Sequence, residues 1–300
     1  MTQSILSKSQ KASITQGYLA ALGTAAIWAG FIIVSRLGGK SALNGWDITA
    51  LRLGFGSLFL LPFSFSIPRA AWRDLKLWTL ALSGGAVFLV LIYSGFKLAP
   101  AAHGGILVPG MQGFLTTLMA WIMIGVRPPR QRVFALMPIG AGLLCVAMPV
   151  ILGTHLDGSV LIGDAFLLAS STIWATYTIL ARRWAYDPWL LTRFLAIASA
   201  VAYLPFYILF CPKGIFDASL GMIALQGLYQ GIGPTILAML LFLRAVAILG
   251  AERTGALIAL VPILAGIAAV PLLDEPLTAS LIAGLIFVSS GAYFASRPIR

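Results

Sequence analysis

The chain has 300 residues, of which 60% are hydrophobic and only 10% are charged, and its mean hydropathy is +0.97. Soluble domains carry about 45–50% apolar and about 25% charged residues, so this composition excludes a soluble globular protein. The net charge of +11 would suit nucleic-acid binding, but the positions of the basic residues, given below, argue against a nucleic-acid partner.

Apolar runs of about 20 residues, the length that crosses a bilayer, recur along the whole chain. Ten such spans are predicted, joined by short connections that leave no room for a soluble domain: 17–37, 47–67, 76–97, 101–125, 132–152, 160–182, 189–211, 218–247, 251–272 and 277–296. The sequence therefore predicts an all-α integral membrane protein with ten transmembrane helices.

The first fifteen residues are polar and lack a cleavage site of the A-x-A kind. They predict a cytoplasmic tail before a retained first helix rather than a signal peptide. Cys145 and Cys211 fall in predicted spans and are too few and too isolated for a disulfide framework or a metal site. No metal and no cofactor are expected.

Basic residues concentrate on one side of the predicted topology. With the N-terminus inside, four basic residues lie at outer ends, two lie within spans (Arg52 and Arg193), and fourteen of the twenty are cytoplasmic: Lys8, Lys11, Arg69, Arg73, Lys76, Arg127, Arg130, Arg132, Arg182, Arg183, Arg244, Arg253, Arg297 and Arg300. This is the positive-inside pattern. It predicts an inner-membrane protein with both termini cytoplasmic, whose excess charge contacts anionic lipid and not nucleic acid.

Residues 17–36 recur in diverged form at 163–182. Seven of the twenty positions are identical at this offset: Gly17/Gly163, Leu22/Leu168, Ile27/Ile173, Trp28/Trp174, Ala29/Ala175, Ile33/Ile179 and Arg36/Arg182. Two five-helix repeats are predicted, residues 1–152 and 153–300. Because an odd number of spans separates Trp28 from Trp174, the two copies should cross in opposite directions, the symmetry on which alternating access depends.

The stretch LIALVPILAGIAAVPLLDEPLTASLIAGLIFVSSGAYFA, with Asp274-Glu275 before Pro276, resembles the EamA family of drug/metabolite transporters, and the resemblance extends over nearly the whole chain. The end of span 4 departs from the family, because Gly125-Val126-Arg127-Pro128 stands where a glutamate-proline pair is common. The resemblance implies a transporter with a central cavity between spans 1, 3, 4, 6, 8 and 9, and with spans 5 and 10 peripheral.

Aromatic and amide side chains inside the spans are the predicted substrate-binding residues. Trp28 and Trp174 lie mid-span, away from the interfaces where tryptophan is enriched, and an indole N–H there needs a partner. Packing and cavity lining both remain open for these two residues. Tyr177 follows Trp174 on the same helical face.

Span 8 carries the densest polar set, formed by Gln226, Tyr229 and Gln230. Its two amides share a face that must meet protein or water. Cavity lining is favoured, and bonding between helices is the alternative. Tyr93 and Gln112 complete the predicted set.

Glycine and proline interrupt spans 4 and 8. Gly105, Pro109, Gly231 and Pro234 are the predicted hinges, because proline frees backbone carbonyls and small residues let helices approach. For Arg52 and Arg193, which lie near span ends, snorkelling or bonding to a helix end is the favoured explanation.

No carboxylate falls mid-span, where proton-coupled transporters usually place one. The sequence therefore predicts facilitated export that is not obligatorily proton-coupled. A proton-antiporting effluxer is the alternative, and Asp164 is the residue most able to support it.

The polar and aromatic residues within the spans suit a small neutral or zwitterionic amphipathic solute. Among family members this profile most resembles the YddG-type exporters, which implies neutral or aromatic amino acids as substrates. An intramembrane enzyme is disfavoured, since HExxH, GxGD and a GxSG with a partner histidine are missing, and so is a channel, since nothing resembles a filter. The expected form is a monomer, because one chain could hold the whole pathway.

Overall fold

The computed structural model describes residues 2–151 and 158–295, so the predicted repeat boundary at 152/153, and Arg297 and Arg300, lie outside the described residues. Helical segments account for most of both ranges, and no strand occurs in them. In chain order they are α1 (Thr2–Lys40), α2 (Gly45–Ser66), α3 (Leu75–Leu98), α4 (Ala101–Gly110 and Gln112–Ile124), α5 (Arg130–Ile151), α6 (Gly158–Trp184), α7 (Pro188–Phe210), α8 (Leu220–Gly250), α9 (Glu252–Leu273) and α10 (Ala279–Ala295).

Seven helices in the described ranges are long and apolar enough to cross a bilayer, and the two bent pieces of α4 together would make an eighth. In α5 and α10 the apolar parts are shorter, Leu136–Met148 and Ala279–Ala295. The multi-pass, all-helical class is confirmed. The count of ten spans and their arrangement as two inverted repeats stay predictions.

The first helix begins earlier than predicted, at Thr2 instead of residue 17. No proline or glycine precedes Gly17, so nothing in the polar N-terminal segment ends the helix. The part of α1 that is apolar enough for a membrane is Ile14–Lys40.

Three helices contain wide, π-type turns. These are Leu82–Val87 in α3, Ile106–Gly110 in α4, and both Gln226–Gln230 and Gly233–Leu237 in α8. Pro109 lies in the α4 turn and the helix bends there by 40°, while Pro234 lies in the second α8 turn. Proline removes a backbone donor, and such turns are common at functional sites.

The helices α4 and α9 end in the same way. Gly125 and Asp274 both adopt left-handed backbone conformations, with φ of 70° and 54°. In each case the next residue donates its N–H to the carbonyl six positions back, Val126 to Ala120 and Glu275 to Ala269, both at 3.4 Å. This is the Schellman pattern of helix termination.

Helix α3 lies at the centre of the bundle, where its Ile92, Tyr93 and Phe96 are fully buried. It packs against α1, α2 and α6, α2 packs against α7, and α5 packs against α10 at one side. Large apolar side chains are exposed around the outside, among them Phe134, Ile208 and Leu240. An exposed apolar belt of this extent suits contact with lipid chains.

Candidate functional site

A cavity of about 280 Å³ lies at the middle of the helix bundle. Seven helices supply its described wall: Trp28, Phe31 and Ile32 of α1, Arg52 of α2, Phe88 of α3, Val108, Pro109 and Gln112 of α4, Trp174 of α6, Pro234 and Met239 of α8, and Ile258 and Val261 of α9. A second cavity of about 150 Å³ adjoins it and shares Arg52, Trp174, Pro234 and Met239. The expected helices therefore meet here, and α2 joins them through one arginine.

Arg52 differs from the sequence-based expectation. The hydrogen bond printed for its side chain goes to another side chain instead of a helix end, and Arg52 lines both cavities. Nη1 donates a hydrogen bond of 3.1 Å to the hydroxyl of Tyr93, and the guanidinium carbon is 5.3 Å from the ring centre of Phe31. The cation–π contact with Phe31, which also lines the central cavity, and the Tyr93 bond fix the position of the charge.

Arg193 bonds to a helix end, which is one of the two roles expected for it from the sequence. It is buried, and its guanidinium donates to the carbonyl of Phe63 at 3.2 Å and to the hydroxyl of Ser66. Those two groups belong to the last turn of α2. A helix C-terminus carries partial negative charge, which stabilises a cation.

The predicted tryptophans line the central cavity from opposite halves of the chain. The ring centroids of Trp28 and Phe242 are 5.7 Å apart. The ring centroid of Trp174 is 4.8 Å from that of Phe88 and 5.1 Å from that of Tyr177. Trp174 lines both cavities, and Tyr177 lines the smaller one.

Gln112 also faces the central cavity, where it donates to the hydroxyl of Thr116 at 3.1 Å. Thr116 lies one turn further toward the predicted cytoplasmic end of α4. The Gln112 amide is therefore the polar group on the α4 wall of this cavity.

The polar residues of α8 are bonded to α1. Gln226 is fully buried and donates to the carbonyl of Val34 at 2.7 Å, and Gln230 donates to the hydroxyl of Ser35 at 3.1 Å. Tyr229 donates to the carbonyl of Ile27 at 3.0 Å. This is the arrangement of the alternative interpretation, in which the amides join helices. The Oε1 atom of Gln230 is buried without a hydrogen-bond partner among the described residues.

The predicted hinge residues lie at the helix irregularities. Pro109 and Pro234 line the central cavity within their π-type turns. Gly105 lets α4 approach the backbone of Pro262, since a Cβ there would lie 3.3 Å from the Pro262 Cα. Gly231 similarly lets α8 approach Phe55, whose Cβ would be 2.8 Å away.

A larger opening of about 850 Å³, here called the basic recess, lies between the predicted cytoplasmic ends of α4 and α6. Its described wall includes Thr116, Thr117, Ile179 and Val126 together with Arg127, Arg182 and Arg183. Gln112 and Thr116 are successive residues of one face of α4, so the recess begins one turn beyond the central cavity.

Charged side chains join four elements on the predicted outer side. Nε of Arg36 lies 2.6 Å from Oε1 of Glu275, while Nη1 of the same arginine donates to the carbonyls of Phe96 at 2.8 Å and Lys97 at 3.0 Å. The other carboxylate oxygen of Glu275 accepts from the N–H of Ala101 at 2.7 Å. One ion pair thus joins α1, α3, α4 and the loop after α9.

A second polar pair joins α4 to α6 on this side. Nδ1 of His103 lies 2.9 Å from Oδ1 of Asp164, with both side chains largely buried. Within the described residues no group of three metal-ligating side chains occurs. The pair is a hydrogen-bonded contact between a histidine and a carboxylate.

The helix bundle, the exposed apolar belt and the central cavity together indicate a multi-pass membrane protein. A profile of the EamA-like transporter family matches residues 15–148 and 161–297. The chain therefore belongs to the EamA-like transporter family.

A relative described as "Uncharacterized transporter YyaM", from Bacillus subtilis (strain 168), is 24% identical over 255 residues, which cover 81% of this chain and 80% of the relative. A solved crystal structure of a protein superposes with a TM-score of 0.60 at 20% identity and covers 95% of each chain. That likeness shows the fold. Family and relative together indicate a membrane transporter rather than an enzyme.

Proposed function

We propose that this protein is a monomeric carrier of the inner membrane that exports small amphipathic metabolites, with neutral or aromatic amino acids as the first substrates to test. The central cavity carries the proposal. Aromatic side chains from both halves, Trp28 and Trp174, line a space just below the size of typical ligand pockets, which run from about 300 to 1,000 Å³. A single-ring solute fits this size.

Alternating access is the proposed mechanism, with the two halves as inverted repeats and both termini cytoplasmic. The two family-matched stretches begin at residues 15 and 161, the same offset that relates Trp28 to Trp174. The outer Arg36–Glu275 pair and the basic recess support an inward-open state, in which the substrate enters from the predicted cytoplasmic side.

Counterflow in proteoliposomes tests the proposal. Vesicles loaded with unlabelled phenylalanine should transiently accumulate external labelled phenylalanine, because a carrier exchanges substrate across one shared site. The same exchange with the predicted neutral substrates should saturate with concentration. Absence of exchange with every neutral and aromatic amino acid would remove the substrate assignment.

Proton antiport is the second candidate function, and the His103–Asp164 pair is the observation that favours it. Under the facilitated mechanism, an imposed pH gradient leaves the steady-state substrate gradient unchanged. Under antiport, an inward proton gradient drives export, and the Asp164→Asn variant loses that drive while it retains exchange at equal pH.

A further inference from the structure

Arg52 places a positive charge on the wall of the central cavity. It lies about two turns into α2 and lines both the central and the adjoining cavity. Its neighbours fix its direction, since Tyr93 accepts one of its N–H groups and Phe31 packs against its face. A guanidinium has five N–H donors in a rigid fork. The Tyr93 bond uses one of them.

No carboxylate neutralises this charge among the residues that the structure describes. The two ion pairs found there are Arg36–Glu275 and His103–Asp164. Asp47 is the acidic residue nearest along α2, and its oxygens accept from the Tyr207 hydroxyl and from the N–H groups of Asn44 and Gly214. In the described walls of both cavities, Arg52 is the charged residue.

A partly buried charge without a carboxylate partner is costly, so the cavity gains most from a ligand that brings a negative group. Guanidinium and carboxylate match in shape and form two parallel charge-assisted hydrogen bonds. The described wall of the cavity contains no carboxylate that could pair with the ammonium group of a ligand. Its net charge therefore favours a monoanion over a zwitterion of the same size, and a zwitterion over a cation.

The basic recess next to the central cavity is also lined by positively charged residues. Arg127, Arg182 and Arg183 line the basic recess, which opens one turn beyond Gln112. Recesses lined by one sign of charge raise the local concentration of the opposite ion and speed its association. Cytoplasmic anions would be drawn toward the central cavity.

We propose that Arg52 binds the carboxylate of the transported molecule, and that the substrate class is a small aromatic monocarboxylate whose ring packs between Trp28, Phe88 and Trp174. This assignment rests on the proposed function and names its substrate class. The α-amino group of an amino acid is not required for recognition. The aromatic rings that line the cavity hold the ring end of the molecule, and Arg52 fixes its polar end.

Three ligands that share one phenyl ring and one two-carbon linker test the proposal. They are 3-phenylpropionate (anion), L-phenylalanine (zwitterion) and 2-phenylethylamine (cation). Binding to the purified full-length protein is measured by calorimetry in detergent, and counterflow is measured in proteoliposomes. The expected order of affinity is anion, zwitterion, cation, with about 10-fold between the first two.

Variants of Arg52 then test whether its charge determines the preference among the three ligands. Arg52→Gln should weaken 3-phenylpropionate binding by about 10- to 100-fold, and Arg52→Lys, which keeps the charge but not the fork, should weaken it less. Binding of 2-phenylethylamine should stay weak or improve in Arg52→Gln. Arg244→Gln is the matched control, because Arg244 is exposed on α8 and bonds to Gln16.

The outcomes separate this inference from the proposed function. If the wild type exchanges the amine or the zwitterion as well as the acid, or if Arg52→Gln binds the acid normally, the assignment of Arg52 is wrong and carrier function stands. If none of the three ligands binds or exchanges, both proposals fail for aromatic solutes. The wild-type ligand series decides the question even if an arginine variant does not fold.

Discussion

Gln226 and Gln112 place the same amide group in two different surroundings. Gln226 is fully buried and bonds to the carbonyl of Val34 across the α8–α1 contact. Gln112 is half-buried and lies on the wall of the central cavity. Burial against a neighbouring helix indicates a structural role for Gln226, and access from the cavity is the basis on which Gln112 is proposed to bind substrate.

Leucine substitutions at these two positions should therefore give opposite results. Gln226→Leu should lower the free energy of unfolding by about 1–2 kcal/mol, because the Val34 carbonyl and the Gln230 amide lose a partner. Its folded fraction should bind substrate normally. Gln112→Leu should keep the wild-type melting temperature and weaken binding. Melting in detergent and calorimetric affinity measure both; equal affinity losses in the two variants would contradict the distinction.

Asp74 and Tyr186 form a contact between the α2–α3 and α6–α7 loops that should respond to pH. The Tyr186 hydroxyl donates to Asp74 at 2.5 Å. This bond lowers the pKa of Asp74, while burial and the nearby carboxylate raise the pKa of Tyr186 to about 12. The contact favours ionised aspartate and neutral tyrosine.

The stability that this contact contributes should be constant between those two titrations. It should fall at acidic pH, as Asp74 takes up its proton below its ordinary pKa of about 3.9. It should also fall as the pH rises from about 10 through 12, where Tyr186 ionises. The difference in melting temperature between wild type and Tyr186→Phe, measured across pH, should shrink at both extremes. A difference that stays constant across pH would show that the stability from this contact does not depend on the ionisation of Asp74 and Tyr186.

At the scale of single residues, Arg52 and Arg193 show which roles the sequence could predict and which it could not. Spacing places Arg52 and Arg193 near the starts of corresponding helices, and a snorkelling or helix-end role suits Arg193. For Arg52 the deciding fact is the rotational position of α2. In a membrane helix the lipid-facing and protein-facing sides are both apolar, so the sequence pattern does not say which side meets the cavity.

Helices α4 and α8 contain the irregular turns that the bundle places beside the cavity. Their prolines were predicted as hinges from sequence, and the structure locates both within π-type turns on the cavity wall. The turns themselves were not predictable, because they depend on which carbonyls find partners in neighbouring helices. Whether the helices bend during transport stays a prediction.

Pro109→Ala tests the hinge in α4. Alanine restores the missing N–H and favours a straighter helix in place of the 40° bend. We expect the counterflow rate to fall several-fold while equilibrium affinity changes little, since the cavity side chains remain. Pro205→Ala is the matched control, because Pro205 lies inside α7 on an exposed surface and lines neither cavity. Equal rates in the Pro109→Ala variant and the wild type would remove the hinge role.

Helix existence and order were largely predictable, and helix ends less so. Each predicted span overlaps a described helix because twenty apolar residues need internal hydrogen bonding in lipid. The early start of α1 was missed because the polar segment before Ile14 contains no helix breaker. The cavity lining by Trp28 and Trp174 was one of two interpretations left open by their mid-span positions.

At the scale of the whole molecule, the two faces of the bundle carry different charges at corresponding places. Under the proposed inverted repeat, Arg36 corresponds to Arg182, and the shared Schellman termini relate Glu275 to Val126. The outer pair forms an ion pair of 2.6 Å. The inner counterpart has an arginine and a valine in the wall of the basic recess, with Arg127 beside them.

Val126→Glu should supply the missing carboxylate. A glutamate there would pair with Arg182 and favour closure of the basic recess, which shifts the population toward the outward-open state. The measurement is the rate at which a membrane-impermeant thiol reagent labels Thr117→Cys in the recess wall. Labelling should slow in Val126→Glu and not in the uncharged control Val126→Gln. Unchanged labelling in both variants would contradict the proposed correspondence.

The bonding of Arg36 has a consequence for turnover. Its guanidinium holds Glu275 and the carbonyls of Phe96 and Lys97 at once, so under the proposed alternating access these contacts must separate together before the exterior is reached. A concerted rupture of several short charge-assisted bonds carries a steep activation enthalpy, and water can replace them only after they part. Release outside, rather than capture within the cell, would then limit how fast each molecule leaves, and warming should accelerate export more than it alters affinity.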